Sequence, residues 1–451
     1  MNKGYVVNAA RKNNHGMNML VLHTKPIPCG GQCLYCFSES GLNSSMIHSQ
    51  TLTYAQKVNW SPTAQLKNGI DILQIKSVAE KKFSLAIKGD SFTNYSFEYL
   101  ESYFKEIYEF FNGKTSSSFE EAREEQKTAK SKCVFISVST RPDLIDESWC
   151  KELIRLGVSS VELGVQNLVD SVLLFNKRGH SSEQVIHATG LLKKYGFEVG
   201  YHMMPGLPSS TPEIDFMNCT ELLWKEQLYP DYIKLYPCIL LNNYSLQPKL
   251  YEAFKAGQWL PLNDDDYLNW LYLVLPYIPR NIFISRFQRI IPEDQIAYGP
   301  KKRIDRKKFN GINKCIVQRA VQHSEHINAA YEELSYTFEE QLSGKDISVQ
   351  VLLQDDTVLA YLRGTFDDNR LLLRDIRVFG YPGSISDRAE NSAGYIQHHG
   401  IGKKLVNYIE TIARNKLCEG IILYPTPGIE EYFLKLGYSK YEQYSLIKKV
   451  K

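Results

Sequence analysis

Three cysteines stand in the run Cys29-Gly30-Gly31-Gln32-Cys33-Leu34-Tyr35-Cys36, a C-x3-C-x2-C spacing. Three thiolates on one tight loop can hold three corners of a [4Fe–4S] cube and leave the fourth iron open to a ligand. Gly30 and Gly31 let the backbone close round such a group. A structural zinc loop is the alternative; it needs a fourth ligand, for which His23 and His48 are the local choices. A strand pattern at 83–87 runs into Gly89-Asp90-Ser91-Phe92, a Gly–acid turn able to accept bonds from an ammonium group, or a plain connector. Far downstream, Gln397-His398-His399-Gly400-Ile401-Gly402-Lys403-Lys404 precedes a helical pattern at 402–416. Small residues at a helix start expose backbone N–H groups, and with the helix dipole these suit a pyrophosphate. An ordinary glycine turn is the alternative there. Tyr432 and Phe433 follow on a short helix, where one of them at least belongs to the core.

These groups need elements to position them. An apolar strand, 19–22, runs straight into the cysteines. Further strand patterns at 83–87, 134–138, 160–165, 198–202, 232–235 and 282–285 alternate with helical patterns such as 97–111 and 181–195. That alternation predicts βα units and a parallel sheet. The stretch 116–132 is Ser-, Glu- and Lys-rich and reads as a helix end or a surface insertion. After about residue 325 the rhythm changes to antiparallel strands at 347–353, 358–363 and 371–378, then the helix 402–416 and a final strand, 420–424. The 451 residues exceed one ordinary core, and 43% hydrophobic with 23% charged residues describes a globular chain. A net charge of +3 does not announce nucleic acid, so any RNA-facing field must be local. Two places offer one: the basic arm with Lys3, Arg11 and Lys12, and the run 301–314, which has seven Lys/Arg against one Asp. A solvated basic linker is the alternative for the latter. Nine cysteines, an odd number without pairing rhythm, suggest a reducing, cytoplasmic setting, and the first twenty residues lack an apolar stretch long enough to export or span a membrane.

The cysteine spacing after a first strand resembles the radical-SAM superfamily, in which Tyr35 would lie beside adenine and the open iron would bind S-adenosylmethionine. The resemblance gives the Gly89-Asp90 turn a role toward the methionine ammonium. The Q-x-x-G-x-G run and the Tyr432-Phe433-Leu434-Lys435-Leu436-Gly437-Tyr438 ending resemble GNAT acetyltransferases. Both parts in one chain, in this order, are similar to the catalytic subunit of Elongator and its stand-alone prokaryotic relatives. Runs that carry the likeness include Ser139-Thr140-Arg141-Pro142-Asp143, Val161-Glu162-Leu163-Gly164-Val165-Gln166 and Asn176-Lys177-Arg178-Gly179-His180. His202-Met203-Met204-Pro205-Gly206, Lys234-Leu235-Tyr236-Pro237 and Arg286-Phe287-Gln288-Arg289 add to it. The implied fold class is α/β: a radical-SAM partial (β/α) barrel followed by a GNAT α+β acetyltransferase domain. The implied division is an arm and first strand (1–24), a radical-SAM domain (25–295), a basic linker (296–325) and an acetyltransferase domain (326–451).

The resemblance implies a tRNA wobble-uridine carboxymethylation enzyme that uses a [4Fe–4S] cluster, S-adenosylmethionine and acetyl-CoA. A deoxyadenosyl radical would take hydrogen from the acetyl methyl, the carbon radical would add to uridine C5, and thioester hydrolysis would leave a carboxymethyl group. Cys29, Cys33 and Cys36 would ligate the cluster. Lys82, Arg374, Asp375, Ile376, Arg377, Gln397, Gly400, Ile401, Gly402 and Tyr432 would contact the coenzyme, Tyr432 also as a catalytic group. The chain departs from the family pattern in places. Its cysteine spacing is tighter than the eukaryotic one, Ser139 stands where an acid is usual, and Phe433 replaces the second tyrosine. Only Cys315, with His323 and His326, remains of a linker zinc site, and no zinc is expected. Action on another RNA, a metabolite or a protein is the alternative, and a non-catalytic scaffold a third; accessory subunits and self-association stay open.

Overall fold

The computed structural model describes residues 17–37, 50–89, 91–321, 334–380 and 399–450. The basic arm, Asp90, His48, His323, His326 and Gln397 lie outside the described residues. Seven strands build the front sheet: β1 (Asn18–His23), β2 (Lys82–Lys88), β3 (Lys132–Thr140), β4 (Ser160–Gln166), β5 (Glu198–Met203), β6 (Tyr232–Leu235) and β7 (Phe283–Arg286). They stand in that order and every neighbouring pair is parallel. A parallel sheet wound one way with helices on its outer face is a half-barrel. Its strands are therefore buried on both faces, and β4 is covered from Ser160 through Val165. The outer helices follow the expected periodicity. Phe97–Asn112 starts on a Ser96 cap, turns Leu100, Phe104, Ile107 and Phe111 inward, and ends at Gly113. Ser182–Lys194 opens with a Ser181/Gln184 capping box.

The stretch 116–132 corrects the expectation of a helix end or surface insertion. It contains the helix Phe119–Gln126, whose Phe119, Ala122, Arg123 and Gln126 are buried. Half of the buried members, Arg123 and Gln126, are polar, which hid the element. Gln126 accepts from the Cys133 amide at 2.6 Å and donates to Asn112 at 2.9 Å, so its burial is satisfied.

The rear sheet comprises β8 (Tyr336–Ser343), β9 (Asp346–Leu353), β10 (Val358–Asp367), β11 (Arg370–Val378), β12 (Gly420–Leu423), β13 (Ser439–Lys440) and β14 (Leu446–Lys449). Their order is β8-β9-β10-β11-β12-β14-β13. The first four form an antiparallel meander, and β12 then pairs parallel to β11. The strand expected to be last, 420–424, is flanked by β14, and β8 precedes the first one expected. Between the sheets, the basic run 301–314 is folded onto the front lobe. Phe309 is fully buried against Tyr272 and Phe287, and Arg306 donates to the Ile284 carbonyl at 2.6 Å. Lys302, Arg303, Lys307, Lys308 and Lys314 remain exposed.

One apolar core runs through both lobes. The rear lobe docks where the front strands begin: Gly428 rests on the Cys133 backbone, Thr426 on Ser159, and Tyr361 and Phe379 on Phe283. Four front-lobe carboxylates and cations, Glu198, Asp231, Lys193 and Arg280, reach across to the rear lobe. All nine cysteines are free thiols. Among the described residues no helix is long and apolar enough to cross a membrane.

Candidate active site

The cysteine loop follows β1, at the edge of the half-barrel where the strands end. Four bonds from different elements pin its backbone. Leu34 N–H donates to the Asn176 carbonyl at 3.0 Å, and the Gln247 amide donates to the Tyr35 carbonyl at 3.1 Å. Arg141 reaches the Cys29 carbonyl at 3.4 Å, and Lys249 the Gln32 carbonyl at 3.3 Å. The three thiols are half-buried. Gly31 N–H points at Cys29 Sγ (3.3 Å) and the Arg178 guanidinium at Cys33 Sγ (3.5 Å). A side chain at Gly31 would stand 3.2 Å from Cys29 Sγ and 3.8 Å from Cys33 Sγ, inside the bowl the thiols enclose. N–H donors aimed at sulfur and a bowl kept open by glycine fit a thiolate-held cluster. Among the described residues, no three Cys, His, Asp or Glu are placed to share a single ion. His23, a candidate zinc ligand from the sequence, instead bonds Thr51 Oγ1 at 3.0 Å.

Below the loop, inside the half-barrel, four strands bring polar side chains onto Glu162 of β4. Its carboxylate meets the ammonium of Lys234, Lys88 at 3.3 Å, His202 Nε2 at 2.7 Å, Ser139 Oγ at 3.0 Å and the Tyr232 hydroxyl at 3.2 Å. Burial alone would raise the Glu162 carboxyl, but Lys234, Lys88 and His202 outweigh it and hold the group well below the usual range. Burial pushes the Lys234 ammonium down to about 7 against the pull of Glu162, and lowers the His202 imidazole to about 4. Glu162, His202 and Lys234 stand in family-like runs that implied no site role for them, and Ser139 stands where an acid is usual. For Glu162 and Lys234 the signal was a charged residue between apolar neighbours, Val161 and Leu163 in one strand and Ile233 and Leu235 in the other.

Two further features were missed. Gln166, at the end of β4, holds φ 70°, a strained value for a side-chain-bearing residue, next to the Arg178–Gly164 contact. Beside the loop, a small cavity is lined by Tyr35, Phe37, Met204, Cys238 and Arg289, the guanidinium lying over the Phe37 and Tyr236 rings at 5.5 and 5.2 Å. Gly89 packs between Thr24 and Tyr95, whose hydroxyls bond at 2.7 Å.

The rear lobe holds a second opening. The β11–β12 ladder runs only from Arg370 to Leu372, and beyond it the two strands separate while β11 continues to Val378. The helix Ile401–Asn415 starts beside this wedge, on Gly400 with φ 84°. A side chain at Gly402 would lie 2.9 Å from the Tyr432 hydroxyl and 3.7 Å from Val378. The turn, the strand and Tyr432 are thus together, and partial burial raises the Tyr432 hydroxyl to about 12, a neutral donor at pH 7. The guanidiniums of Arg374 and Arg377 point elsewhere. Arg374 pairs with Asp231, and Arg377 with Glu198 at 2.7 Å and Asp375 at 3.3 Å. The side chain of this strand that stands beside the Gly402 turn is Val378. Lys82, lowered by burial, starts β2 opposite Lys132, whose ammonium lies 3.7 Å from Glu431, the neighbour of Tyr432.

A parallel half-barrel whose first strand delivers a three-cysteine loop defines a radical-SAM enzyme. The Radical SAM superfamily model matches residues 29–218 and the Radical_SAM C-terminal domain model residues 230–318. The chain belongs, within that superfamily, to the family of the tRNA uridine(34) acetyltransferases. It is 31% identical to the protein of that name from Methanocaldococcus jannaschii, over 95% of this chain and 84% of that protein. It is 26% identical to Elongator complex protein 3 of Homo sapiens, over 94% of this chain and 82% of that protein. The solved structure of archaeal Methanocaldococcus infernus Elp3, lacking residues 1–46, superposes with a TM-score of 0.80 at 28% identity. It covers 96% of this chain and 99% of that one.

Proposed function

We propose that this chain carboxymethylates C5 of the wobble uridine of tRNA, drawing the two-carbon unit from acetyl-CoA. The observation that carries the reading is the pairing of two built openings in one body. A thiol bowl tops a charged half-barrel, and a splayed strand pair meets a glycine helix start. Cys29, Cys33 and Cys36 hold the cluster, with the Gly31 amide and Arg178 meeting the negative charge of the sulfurs. Cluster and S-adenosylmethionine together supply a carbon-centred radical, the one reagent here able to activate an unreactive methyl group.

The rear lobe takes the GNAT role. The first amides of the helix, at Gly400, Ile401 and Gly402, with Gln397, receive the pyrophosphate. The backbone of Arg374, Asp375, Ile376 and Arg377 lines the wedge for the thioester arm, Lys82 stands near its base, and the Tyr432 hydroxyl donates to the sulfur that leaves. In the half-barrel, the Gly89-Asp90 turn is assigned to the methionine end of S-adenosylmethionine. The exposed cations of 301–314 meet tRNA phosphates, so affinity falls steeply with salt. The division into arm, radical-SAM part, basic segment and acetyltransferase part goes with this reading, as does a cytoplasmic setting where tRNA is found.

Anaerobically reconstituted protein with reductant, S-adenosylmethionine, acetyl-CoA and tRNA should yield a modified uridine by nucleoside mass spectrometry. Cys33→Ala should lose iron, sulfide and product while coenzyme A binding persists. Deoxyadenosine without modified tRNA would assign the chemistry to another substrate.

A further inference from the structure

The helix Pro248–Lys255 lies along the cysteine loop. Leu250 and Ala253 share a small apolar cluster with Tyr35, and Cys33 and Leu34 pack against the same cluster. At its outer edge Tyr244 and Tyr251 stack, ring centroids 4.0 Å apart and planes 5° from parallel. Both rings are half-buried. Cations surround the pair. Lys249, exposed, holds the Gln32 carbonyl between two of the cysteines, and the Lys255 ammonium stands 4.8 Å over the Tyr251 ring. The acid of that turn, Glu252, is taken up by Lys255 at 2.7 Å. Across the loop, Lys177 is exposed next to Asn176, whose carbonyl accepts the Leu34 amide.

A base that enters a protein interior for chemistry must first leave the stack of its neighbours, and the neighbours lose a face. Parallel aromatic rings at the entrance return that face without regard to sequence, and flanking lysines meet the backbone phosphates. Mixed aromatic and cationic chemistry of this kind fits a single-stranded RNA loop. We propose that Tyr244 and Tyr251 form a stacking platform for a nucleobase adjoining the modified uridine, with Lys249 and Lys255 on the adjacent backbone. The platform rests on the tRNA reading above and names the part of the surface that receives the loop.

The probe is an anticodon stem–loop carrying 2-aminopurine beside the target uridine, titrated into cluster-loaded protein. Bound to the wild type, the probe fluorescence should be quenched by stacking. Tyr244→Leu keeps the apolar packing but not the stack. It should weaken binding about tenfold and abolish the quench, with iron content unchanged. Tyr244→Phe should behave as wild type. Equal affinity and quench in Tyr244→Leu would overturn the platform while leaving the tRNA reading in place. So would a stem–loop that binds the wild type without any quench. A wild type that binds no stem–loop overturns both.

Discussion

Two buried charge clusters in this chain solve one problem in opposite ways. Inside the half-barrel, a single carboxylate, Glu162, is met by Lys88, Lys234 and His202. Between the lobes, Asp231 and Glu198 are met by arginines: Arg374 on the first, Arg377 at 2.7 Å on the second, and Arg363 within 3.9 Å of both. Guanidinium stays charged under any accessible condition and presents a flat fork to a carboxylate, whereas lysine and histidine change protonation readily once buried. The contrast shows in the groups themselves. Burial would raise the Asp231 carboxyl, yet Arg374 and Arg363 hold it at about 2, while Lys234 sinks to about 7 and His202 to about 4. The Asp231–Arg374 pair is built to stay charged, while Glu198 beside it is raised by burial against the pull of Arg377 and Arg363; in the barrel it is the cations themselves that can trade protons.

The sharpest way to break the comparison is Glu162→Gln. It leaves two ammonium groups facing each other without a counter-charge, at a cost of about 3–5 kcal/mol. Deoxyadenosine formation should fall at least a hundredfold, by chromatography of an anaerobic reaction, while coenzyme A binding at the rear lobe stays within twofold. Retained deoxyadenosine formation would show that the cluster of charges is only structural. Arg374→Ala makes the matching cut at the interface. It removes the nearest counter-charge of Asp231, leaving Arg363 at 3.9 Å, and should cost up to about 3–5 kcal/mol by denaturant unfolding. Asp231→Asn added to it should restore part of that loss, a non-additivity that marks a direct pair. Here activity per folded molecule should be nearly preserved, the reverse of the Glu162 case.

Acid sharpens the difference. The His202 imidazole, lowered by burial from 6.5 to about 4, stays neutral in the folded chain through a window where the unfolded chain takes a proton. Its contribution to stability is therefore complete above pH 6.5 and is lost progressively as the pH falls toward 4, on the order of 3 kcal/mol in all. His23, lowered to about 4 by burial and by Lys88, adds to the same window. The His202→Gln chain should lose stability less steeply between pH 6.5 and 4, by up to one proton's worth of slope. Parallel curves for the two chains would remove His202 from the account. No such slope attaches to the arginines.

Much of this was legible beforehand, for physical reasons. Thiol spacing and the Gly400–Gly402 helix start declare themselves because their chemistry is local: neighbours in sequence are neighbours in space. The front strands were legible because parallel strands covered on both faces read as unbroken apolar runs. Glu162, Lys88, His202 and Lys234 were not assembled, because four strands separated by helices bring them together and no local pattern records that convergence. Arg374 and Arg377 were expected at the coenzyme from the run that carries them; their side chains pair with Asp231 and Glu198 of the front lobe, a direction set by docking alone. The helix Phe119–Gln126 escaped because it buries Arg123 and Gln126, which composition counts as surface.

The smallest expected effect lies at the lobe contact that carries no charge. Thr426, just before the helix that bears Tyr432, shares a hydrogen bond with Ser159 at 2.6 Å and donates to the Gly157 carbonyl at 3.1 Å. It is almost fully buried, so Thr426→Ala leaves those partners in place without it and should cost about 1 kcal/mol by unfolding. Thr426→Ser, which keeps the hydroxyl, should recover most of the loss. The arginine pairs remain intact in both variants, so the lobes stay docked and only the seat of one helix is loosened. A raised KM for acetyl-CoA with unchanged deoxyadenosine formation would place the fault at Tyr432 and Gly402. Equal loss of both readouts would mean that this contact transmits to the barrel, and that the interface is less rigid than its arginines make it.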